Sequence, residues 1–497
     1  MKNKIYLLSP WCEEEYRFTQ ISLNYIQFYL LDHGFNAEII DCAHYEKDSN
    51  EVILKLKDNE KPIVGITAYT RERFSAYDLI RKIKKKIPDS LIVVGGRHFG
   101  TLVVETLNEL TEVDIVVRGE GEITFKEICE SVVNNKGLSD ILGISYKKVG
   151  GIIHNPDRPL EKNLDKFRCF DMDHQDHKKS SLLFLTKIDS RYYFSIYATR
   201  GCAGKCVFCS LTAEKVRFRS VDNIINEIED KIKITNVRNV RFGDSSLTLN
   251  KKFITHLCEE LIKRQLNIRF NCYSRVDINP DLLKLMKRAG LVSVELALES
   301  GSPRILKAIK KNIKLVQFET FLKEAYRLGI KSYVFCMVSF PDETAEDVEM
   351  TISLIKKNIK YIYYAVLQTT RILPDAALTH IAKEKGVIPK DFNWFKPFVE
   401  TKDSLFKNSN YSTIPLYLER LTEKDIQHAI DEFDDMQKLH LVHKDLIMKL
   451  IKINLRIDVL KKLTFQVFIR KLKVLFEMVY VAYRNKSKDI TNVNKSP

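Results

Sequence analysis

Three cysteines, Cys202, Cys206 and Cys209, lie in the string TRGCAGKCVFCS and carry the most chemical information in this chain of 497 residues. Thiolates are the ligands that iron–sulfur clusters take, so three of them can hold three irons of a four-iron cluster. A cluster that only transfers electrons needs a fourth nearby cysteine, which this string does not contain. The triplet therefore predicts a cluster whose fourth iron is open to a ligand.

A structural zinc site is the main alternative for this triplet. Such a site takes two Cys-x2-Cys pairs or a mixture of Cys and His, and no histidine lies within twenty residues of the three cysteines. The triplet also follows a β-like run that ends in Thr199-Arg200-Gly201, as expected where a barrel strand passes into a loop. The iron–sulfur interpretation is therefore favoured.

The segment resembles the radical S-adenosylmethionine superfamily, whose Cys-x3-Cys-x2-Cys loop follows the first strand of a partial (β/α) barrel. Phe208 occupies the position of the aromatic residue that packs beside the cluster and the adenine in that family. The resemblance implies that the open iron chelates S-adenosylmethionine, and that one electron cleaves the sulfonium bond to give a 5′-deoxyadenosyl radical.

The N-terminal part, residues 1–135, alternates short apolar β-like runs with helical ones and predicts a doubly wound, flavodoxin/Rossmann-like α/β domain. Ligands of such sheets bind at the carboxyl ends of the strands. The strings IVVGGRHFG and DIVVRGEGEITFKEI look like the cobalamin-binding domain fused in front of many radical S-adenosylmethionine enzymes of class B. That group includes methylases and the anaerobic Mg-protoporphyrin monomethyl ester cyclase. The resemblance implies cobalamin, lined by Thr67, Gly95, Gly96 and Gly119.

The chain departs from many cobalamin domains because it lacks the Asp-x-His-x2-Gly loop that supplies a cobalt ligand. Asp32-His33-Gly34 reads as a helix end, and His98 as a surface hydrogen-bonding residue. We therefore expect cobalt without a protein imidazole. Tight turns would explain the glycine pairs as well as a corrin does, so a degenerate domain that binds nothing is the alternative.

Residues 136–190 predict a linker with one hairpin, and its His and Asp cluster at 171–177 is typical of a solvated loop rather than a metal site.

Residues 191–400 again alternate β-like and helical runs and predict a partial (β/α)6 barrel. Barrel enzymes carry functional groups at the carboxyl ends of their strands, and this rule selects Asp244, Ser274, Arg275, Glu299 and Pro341. The resemblance implies that the first four hold S-adenosylmethionine, although each is also typical of a structural ion pair.

The substrate-facing rim of the predicted barrel departs from the superfamily pattern. The string VSFPDET at 338–344 has Asp342 where the family has glycine, and the turn at 373–376 reads LPDA. These changes leave the fold prediction intact, but they weaken any inference of the substrate by analogy.

Residues 401–497 predict a helical C-terminal region with a basic amphipathic segment at 446–484. Most of the net charge of +15 lies there, since residues 437–488 hold thirteen Lys or Arg and three Asp or Glu. The charge distribution therefore gives no reason to expect a nucleic-acid partner.

The basic segment at 446–484 predicts either a helical cap on the barrel or a helix resting on anionic lipid. With neither a signal peptide nor a membrane span in the sequence, we expect a cytoplasmic protein. Under the lipid alternative, this segment would make it peripheral to a membrane.

Three functions are compatible with these patterns. The first is a cobalamin-dependent radical enzyme that methylates an unactivated carbon of a small molecule or lipid, or else cyclises or rearranges its substrate, with a flavodoxin- or ferredoxin-type electron donor. The second is a methylthiotransferase acting on tRNA or protein, with a second cluster on Cys12, Cys42 and Cys129. The third is a non-enzymatic cobalamin or redox sensor.

Overall fold

The computed structural model of the chain describes residues 4–11, 21–42, 49–57, 61–168, 193–211, 214–396 and 414–441. Within these ranges the chain forms two large sheets with helices packed against them. The predicted His and Asp cluster at 171–177 and the basic segment at 446–484 lie outside the described residues.

The first sheet has seven strands in the order β2-β1-β3-β4-β5-β6-β7, of which β1 to β5 are parallel. Its strands are β1 (Ile5–Ser9), β2 (Ala37–Asp41), β3 (Ile63–Thr67), β4 (Leu91–Gly95), β5 (Ile115–Val117), β6 (Ile144–Lys148) and β7 (Gly151–His154). Its helices are α1 (Ile21–Asp32), α2 (Ser49–Lys57), α3 (Arg73–Lys86), α4 (Gly96–Phe99), α5 (Val103–Glu109) and α6 (Gly121–Val133). This strand order is that of flavodoxin-like sheets.

Two apolar layers cover the two faces of the first sheet. Val64 and Val94 pack with the helices on one face, whereas Ile63 and Val93 belong to the layer on the other face. Strands that are buried on both sides need no polar alternation, which is why β3 and β4 read IVGIT and LIVVG.

The hairpin of the predicted linker is part of the first sheet. Strand β6 pairs antiparallel with β5, and β7 pairs antiparallel with β6. Arg118 stabilises the hairpin, since its guanidinium donates a hydrogen bond to the carbonyl oxygen of Ile144 at 2.6 Å. The sheet thus extends beyond residue 135, and the hairpin is not a free connector.

The second sheet has six parallel strands in the order β15-β14-β13-β12-β11-β8. They are β8 (Phe194–Ile196), β11 (Asn239–Phe242), β12 (Arg269–Tyr273), β13 (Leu291–Glu299), β14 (Lys331–Val338) and β15 (Tyr364–Thr369). A short antiparallel hairpin, β9 (Thr199–Arg200) with β10 (Arg217–Phe218), branches off after β8. The helices are α7 (Val221–Thr235), α8 (Lys251–Lys263), α9 (Pro280–Arg288), α10 (Pro303–Ala308), α11 (Leu315–Arg327), α12 (Ala345–Asn358), α13 (Ala377–Glu384) and α14 (Glu423–Leu441).

Local signals in the sequence start and stop these helices. The Ser220 hydroxyl accepts the Asn223 N–H at 3.2 Å at the start of α7, and the Asn279 side chain accepts the Leu282 N–H at 2.7 Å at the start of α9. Side-chain caps of this kind satisfy amides that have no partner within the helix. Asn236, at φ 55°, ends α7 in the left-handed conformation.

Helix α14 supplies part of the barrel core, because Ile426, Ala429 and Phe433 pack into the same apolar cluster as the barrel strands. Within the described residues, no helix combines the length and the apolar character that crossing a membrane requires. The predicted α/β fold, a doubly wound domain followed by a six-stranded partial barrel and a helix, is confirmed.

Candidate active site

The three cysteines lie between β9 and β10, at the carboxyl end of the barrel sheet. We call residues 201–211 the cysteine loop. All three are half-buried. The Gly204 N–H points at the Cys202 sulfur at 3.4 Å, and the Leu211 N–H points at the Cys209 sulfur at 3.3 Å. Hydrogen bonds of this kind to the sulfur ligands tune the reduction potential of an iron–sulfur cluster.

Gly204 lies close to two of the three sulfurs. A Cβ atom on Gly204 would lie 3.3 Å from the Cys202 sulfur and 3.8 Å from the Cys206 sulfur. In the described part of the chain, no three His, Cys, Asp or Glu side chains converge closely enough for a single metal ion. In a four-iron cluster each thiolate binds a different iron, so these residues fit a cluster better than one zinc ion.

Hydrogen bonds to two other parts of the barrel fix the middle of this loop. The Val207 N–H donates to the Ile309 carbonyl at 3.1 Å, and the Val207 carbonyl accepts the Leu378 N–H at 2.8 Å. Phe208 packs against Phe340, with 5.6 Å between the ring centroids. Phe208 thus lies between the cysteines and the rim loop that follows β14.

A cavity of about 640 Å³ lies between the carboxyl ends of the two sheets. The first domain contributes the strand ends and glycine loops that the sequence selects, including Thr67, Gly95, Gly96 and Gly119. The barrel domain contributes Asp375, from the turn after β15, and residues around the cysteine loop and the end of β11: Tyr197, Thr199, Arg200, Gly201, Leu211, Glu214, Gly243, Asp244 and Ser245. The predicted corrin-binding residues therefore share one cavity with Asp244 and with Gly201 and Leu211, which lie on either side of the three cysteines in the sequence. The cysteines themselves, Phe208 and Glu299 are not among the residues that line it.

Gly96 lines this cavity, and its position tolerates only glycine. It has φ +80°, and a Cβ atom there would lie 2.2 Å from the Thr67 hydroxyl oxygen. No L side chain fits such a position without strain. Glycine is therefore required at this turn, which lines the cavity together with Thr67. A glycine also places no side chain between the backbone and a large flat ligand such as a corrin.

Asp244 is fully buried at the edge of the cavity, and its two oxygens differ. Oδ1 accepts the Thr199 N–H at 2.5 Å and the Thr199 hydroxyl at 2.7 Å, whereas Oδ2 has no partner among the described residues. Burial raises the pKa of Asp244 to about 6, against the opposing hydrogen bonds from Thr199. A cationic ligand at Oδ2 would satisfy this carboxylate.

Glu299 is buried at the end of β13, where the strand pairing shifts and φ reaches 70°. Its Oε1 accepts a hydrogen bond from the Lys311 ammonium at 2.9 Å. Burial raises the pKa of the Cys206 thiol, and Lys311 opposes that rise. Glu299 and Lys311 thus lie within electrostatic reach of the cysteine loop.

Ser274 and Arg275 lie at the end of β12 but are not part of the cavity lining. The Ser274 hydroxyl donates to the Arg275 carbonyl at 2.9 Å. The Arg275 guanidinium pairs with Asp277 at 2.9 Å, and its backbone N–H donates to the Thr248 hydroxyl at 2.8 Å. The structure therefore places both residues at the predicted strand end, in local contacts.

Sequence reasoning missed an ion-pair network that joins the two domains. Glu120 accepts two hydrogen bonds from Arg217, at 2.9 and 2.6 Å, and Glu122 accepts one from Arg200 at 2.6 Å. The signal was the paired acids of RGEGE and the arginines on either side of the cysteine loop. Lys311 was missed as well, because KAIKKNIK reads as an ordinary exposed basic run.

Two sequence expectations change with the structure. His98 is not a surface residue: its ring is fully buried and hydrogen bonds with the Tyr77 hydroxyl at 2.5 Å.

The second correction concerns the predicted second cluster. Cys42 and Cys129 pack in the apolar layers on opposite faces of the first sheet, and burial raises the pKa of each to about 12. These two cysteines cannot ligate one cluster. Cys12, the third of that predicted set, lies outside the described residues.

Comparison with known families agrees with this division of the chain. A model of the radical SAM superfamily matches residues 196–355, and a model of the B12 binding domain matches residues 14–129. The first match contains the cysteine loop and most of the barrel, and the second contains the glycine loops of the cavity. The predicted cofactors, a [4Fe–4S] cluster, S-adenosylmethionine and cobalamin, are confirmed at the level of these families.

Individual relatives extend the likeness. An uncharacterized methyltransferase of Pyrococcus horikoshii is 33% identical over 339 residues, which are 67% of this chain and 72% of the relative. The anaerobic magnesium-protoporphyrin IX monomethyl ester cyclase of Rubrivivax gelatinosus is 28% identical over 67% of this chain and 61% of its own length. The solved structure of OxsB, with aqua-cobalamin and S-adenosylmethionine bound, shares the fold with a TM-score of 0.65 at 17% identity, over 97% of this chain and 72% of that chain. The chain belongs to the family of cobalamin-dependent radical S-adenosylmethionine enzymes.

Proposed function

We propose that this enzyme transfers a methyl group to an unactivated carbon of a small-molecule or lipid substrate. The observation that carries the proposal is the shared cavity, which has the cysteine loop and Asp244 on one side and the glycine loops of the first domain on the other. A methyl donor and a radical source must both reach the same substrate carbon. Residues from both domains around one cavity meet that requirement.

Each group of residues has a separate task in this proposal. Cys202, Cys206 and Cys209 hold the cluster, and Phe208 packs beside it. Asp244 and Glu299 hold S-adenosylmethionine, with Ser274 and Arg275 as further contacts. Thr67, Gly95, Gly96 and Gly119 lie against cobalamin. When bound, these groups supply a 5′-deoxyadenosyl radical and a methyl group.

The unpaired oxygen of Asp244 supports an assignment to the amino group of S-adenosylmethionine. Thr199 already binds Oδ1 and connects the carboxylate to the strand that enters the cysteine loop. An ammonium group at Oδ2 would complete the hydrogen bonding of a buried charge. Asp244 would then position the ligand and the loop together.

Labelled cofactor tests methyl transfer directly. The anaerobically reconstituted enzyme is incubated with cobalamin, a chemical reductant, methyl-deuterated S-adenosylmethionine and candidate extracts. Methylation predicts a product that carries the label, with S-adenosylhomocysteine and 5′-deoxyadenosine formed in equal amounts. Absence of 5′-deoxyadenosine under all conditions would reject radical chemistry.

Ring closure is the second candidate, because a relative that covers 67% of this chain is a cyclase. The same incubation distinguishes methylation from ring closure, since a cyclase gives 5′-deoxyadenosine without label in the product.

We also propose a flavodoxin- or ferredoxin-type electron donor, a cytoplasmic location and a peripheral lipid contact through 446–484. The lipid contact is tested by vesicle flotation of the full chain against a chain truncated after residue 441.

A further inference from the structure

A basic surface lies beside the cysteine loop. The segment 301–318 contains five basic residues and no acidic one. Three of them, Lys307, Lys310 and Lys314, are exposed, and so is Lys205 within the loop itself. In the described part of the chain, none of these four ammonium groups has an ion-pair partner. We call these four residues the lysine surface.

Packing fixes the lysine surface to the cysteine loop. Val207 packs against Ile305, Leu306 and Ile309, and its N–H donates to the Ile309 carbonyl at 3.1 Å. Lys307 lies two residues before Ile309 and Lys310 lies directly after it, so the same contacts position their backbone.

Lys311 provides a contrast within the same segment. Its side chain is only about 18% exposed and binds Glu299, so its charge is neutralised inside the barrel. The charges of the lysine surface have no such role in the described fold. Unpaired exposed charges of one sign create a field that attracts an oppositely charged partner.

The cysteine loop has two sides with different surroundings. Gly201 and Leu211, at its two ends, line the cavity where the ligands are proposed to bind, whereas Ala203 and Lys205 are exposed to solvent. Cleavage of S-adenosylmethionine consumes one electron for each radical. The solvent side is the side on which a protein donor can approach the cysteines without entering the cavity.

We propose that the lysine surface docks a small acidic electron carrier, a flavin or iron–sulfur protein, that reduces the cluster. The inference rests on the proposed function, since it assumes a cluster on this loop. In this step the donor loses one electron and the cluster gains it, from the 2+ to the 1+ state, and no bond forms or breaks. Charge pairs at such an interface speed encounter and weaken as salt screens them.

The test compares two triple variants that change the charge equally. The first is Lys307→Glu/Lys310→Glu/Lys314→Glu. The matched control is Lys252→Glu/Lys323→Glu/Lys356→Glu, which changes three exposed lysines on the outer helices α8, α11 and α12. The probe is a fluorescently labelled acidic bacterial flavodoxin, and its Kd is measured with the full chain at 50 and 300 mM salt.

Wild type and the control variant are expected to bind the flavodoxin with a Kd that rises at least fivefold with salt. The lysine-surface variant is expected to bind at least tenfold more weakly at low salt. Its cluster should be reduced more slowly by flavodoxin semiquinone or hydroquinone, followed by absorbance near 400 nm, but at the wild-type rate by dithionite. Equal Kd values for both variants would overturn the proposal, as would binding of wild type to anionic vesicles but not to flavodoxin.

Reduction by dithionite, which needs no docking surface, distinguishes failure of the docking proposal from failure of the proposed function. If dithionite yields no 5′-deoxyadenosine from wild type, the proposed chemistry fails, whatever the Kd values are. If dithionite supports cleavage but the lysine-surface variant binds flavodoxin like wild type, only the docking proposal fails.

Discussion

Arg200 of the barrel domain donates a hydrogen bond to Glu122 of the first domain, with 2.6 Å between Nη2 and Oε1. The guanidinium also lies over the rings of Tyr25 and Phe167, 5.0 and 4.8 Å from their centroids. Because Arg200 precedes Cys202 by two residues, one side chain connects the glycine loop of the cobalamin domain to the cysteine loop. The relative placement of the two proposed cofactors therefore depends on this contact.

Glu122→Gln is expected to lower both stability and cobalamin affinity. The substitution removes the charge that faces Arg200, while Glu120 stays 3.2 Å from the same guanidinium. Removing one partner of a partly buried pair that keeps a second partner costs about 1–2 kcal/mol. We expect that loss in urea unfolding, and cobalamin binding weakened about tenfold in equilibrium dialysis.

Glu38→Gln is the matched control for this change. Glu38 forms an ion pair with Lys55 in which both side chains are about half exposed, so its loss costs less than about 0.5 kcal/mol. If the two variants have the same stability and the same cobalamin affinity, the contact between Arg200 and Glu122 does not position the domains.

Cysteine substitutions test the cluster ligands and the second-cluster hypothesis together. Cys206→Ala is expected to lose most of the bound iron after anaerobic reconstitution, because a four-iron cluster would keep only two protein thiolates. Cys42→Ala and Cys129→Ala change thiols on opposite faces of the first sheet. Both should keep about four irons per chain, as measured by iron assay and electron paramagnetic resonance.

Wild type that binds about eight irons, of which Cys42→Ala loses half, would revive the methylthiotransferase hypothesis. Wild type that binds one zinc and no iron would reject the cluster altogether.

Much of the fold followed from local patterns in the sequence. The apolar runs IVGIT and LIVVG predict strands that are buried on both faces, and these are β3 and β4. The rule that ligands bind at strand ends also selected Thr67, Gly95 and Asp244, and all three line the cavity. The strand predictions are confirmed, because strand period and strand ends are properties of short segments, whereas the binding roles of these three residues stay predictions.

Contacts between distant segments could not be predicted in this way. Arg200 and Glu122 are 78 residues apart, and no local pattern indicates which acid an arginine will meet. Arg275 illustrates the converse, since it lies at a predicted strand end but pairs with Asp277 two residues away. His98 is buried because Tyr77 of α3 supplies its partner, which a strand-end position does not reveal.

The affinity for S-adenosylmethionine is expected to depend on pH through Asp244. Burial raises the pKa of Asp244 to about 6, so the carboxyl group is mostly protonated at pH 5 and ionised at pH 7. Only the ionised form attracts an ammonium group. The Kd should therefore fall about tenfold as the pH rises from 5 to 7, measured by equilibrium dialysis on the reconstituted protein.

Asp244→Asn should weaken binding and remove this pH dependence, because its Oδ1 still accepts from Thr199 but its side chain carries no charge. The iron content of the variant should match wild type, which shows that the cysteine loop is intact. A wild-type Kd that does not change between pH 5 and 7 would contradict the assignment of Asp244.

Lys311→Met is expected to lower the reduction potential of the cluster. Lys311 pairs with Glu299 at 2.9 Å and is the main cation that opposes the rise in the pKa of Cys206. Without it, the charge of Glu299 faces the cluster uncompensated and disfavours the added electron. A loss of about 1 kcal/mol corresponds to roughly 40 mV for one electron.

Lys314→Met is the control, because Lys314 is exposed and makes no ion pair in the described structure. Redox titration with soluble mediators, followed by electron paramagnetic resonance, gives the midpoint potential without any protein donor. Both variants remove one positive charge from the same segment, but Lys311 is largely buried and paired with Glu299, whereas Lys314 is exposed. Equal shifts in the two variants, or an upward shift in Lys311→Met, would show that Lys311 does not act on the cluster through Glu299.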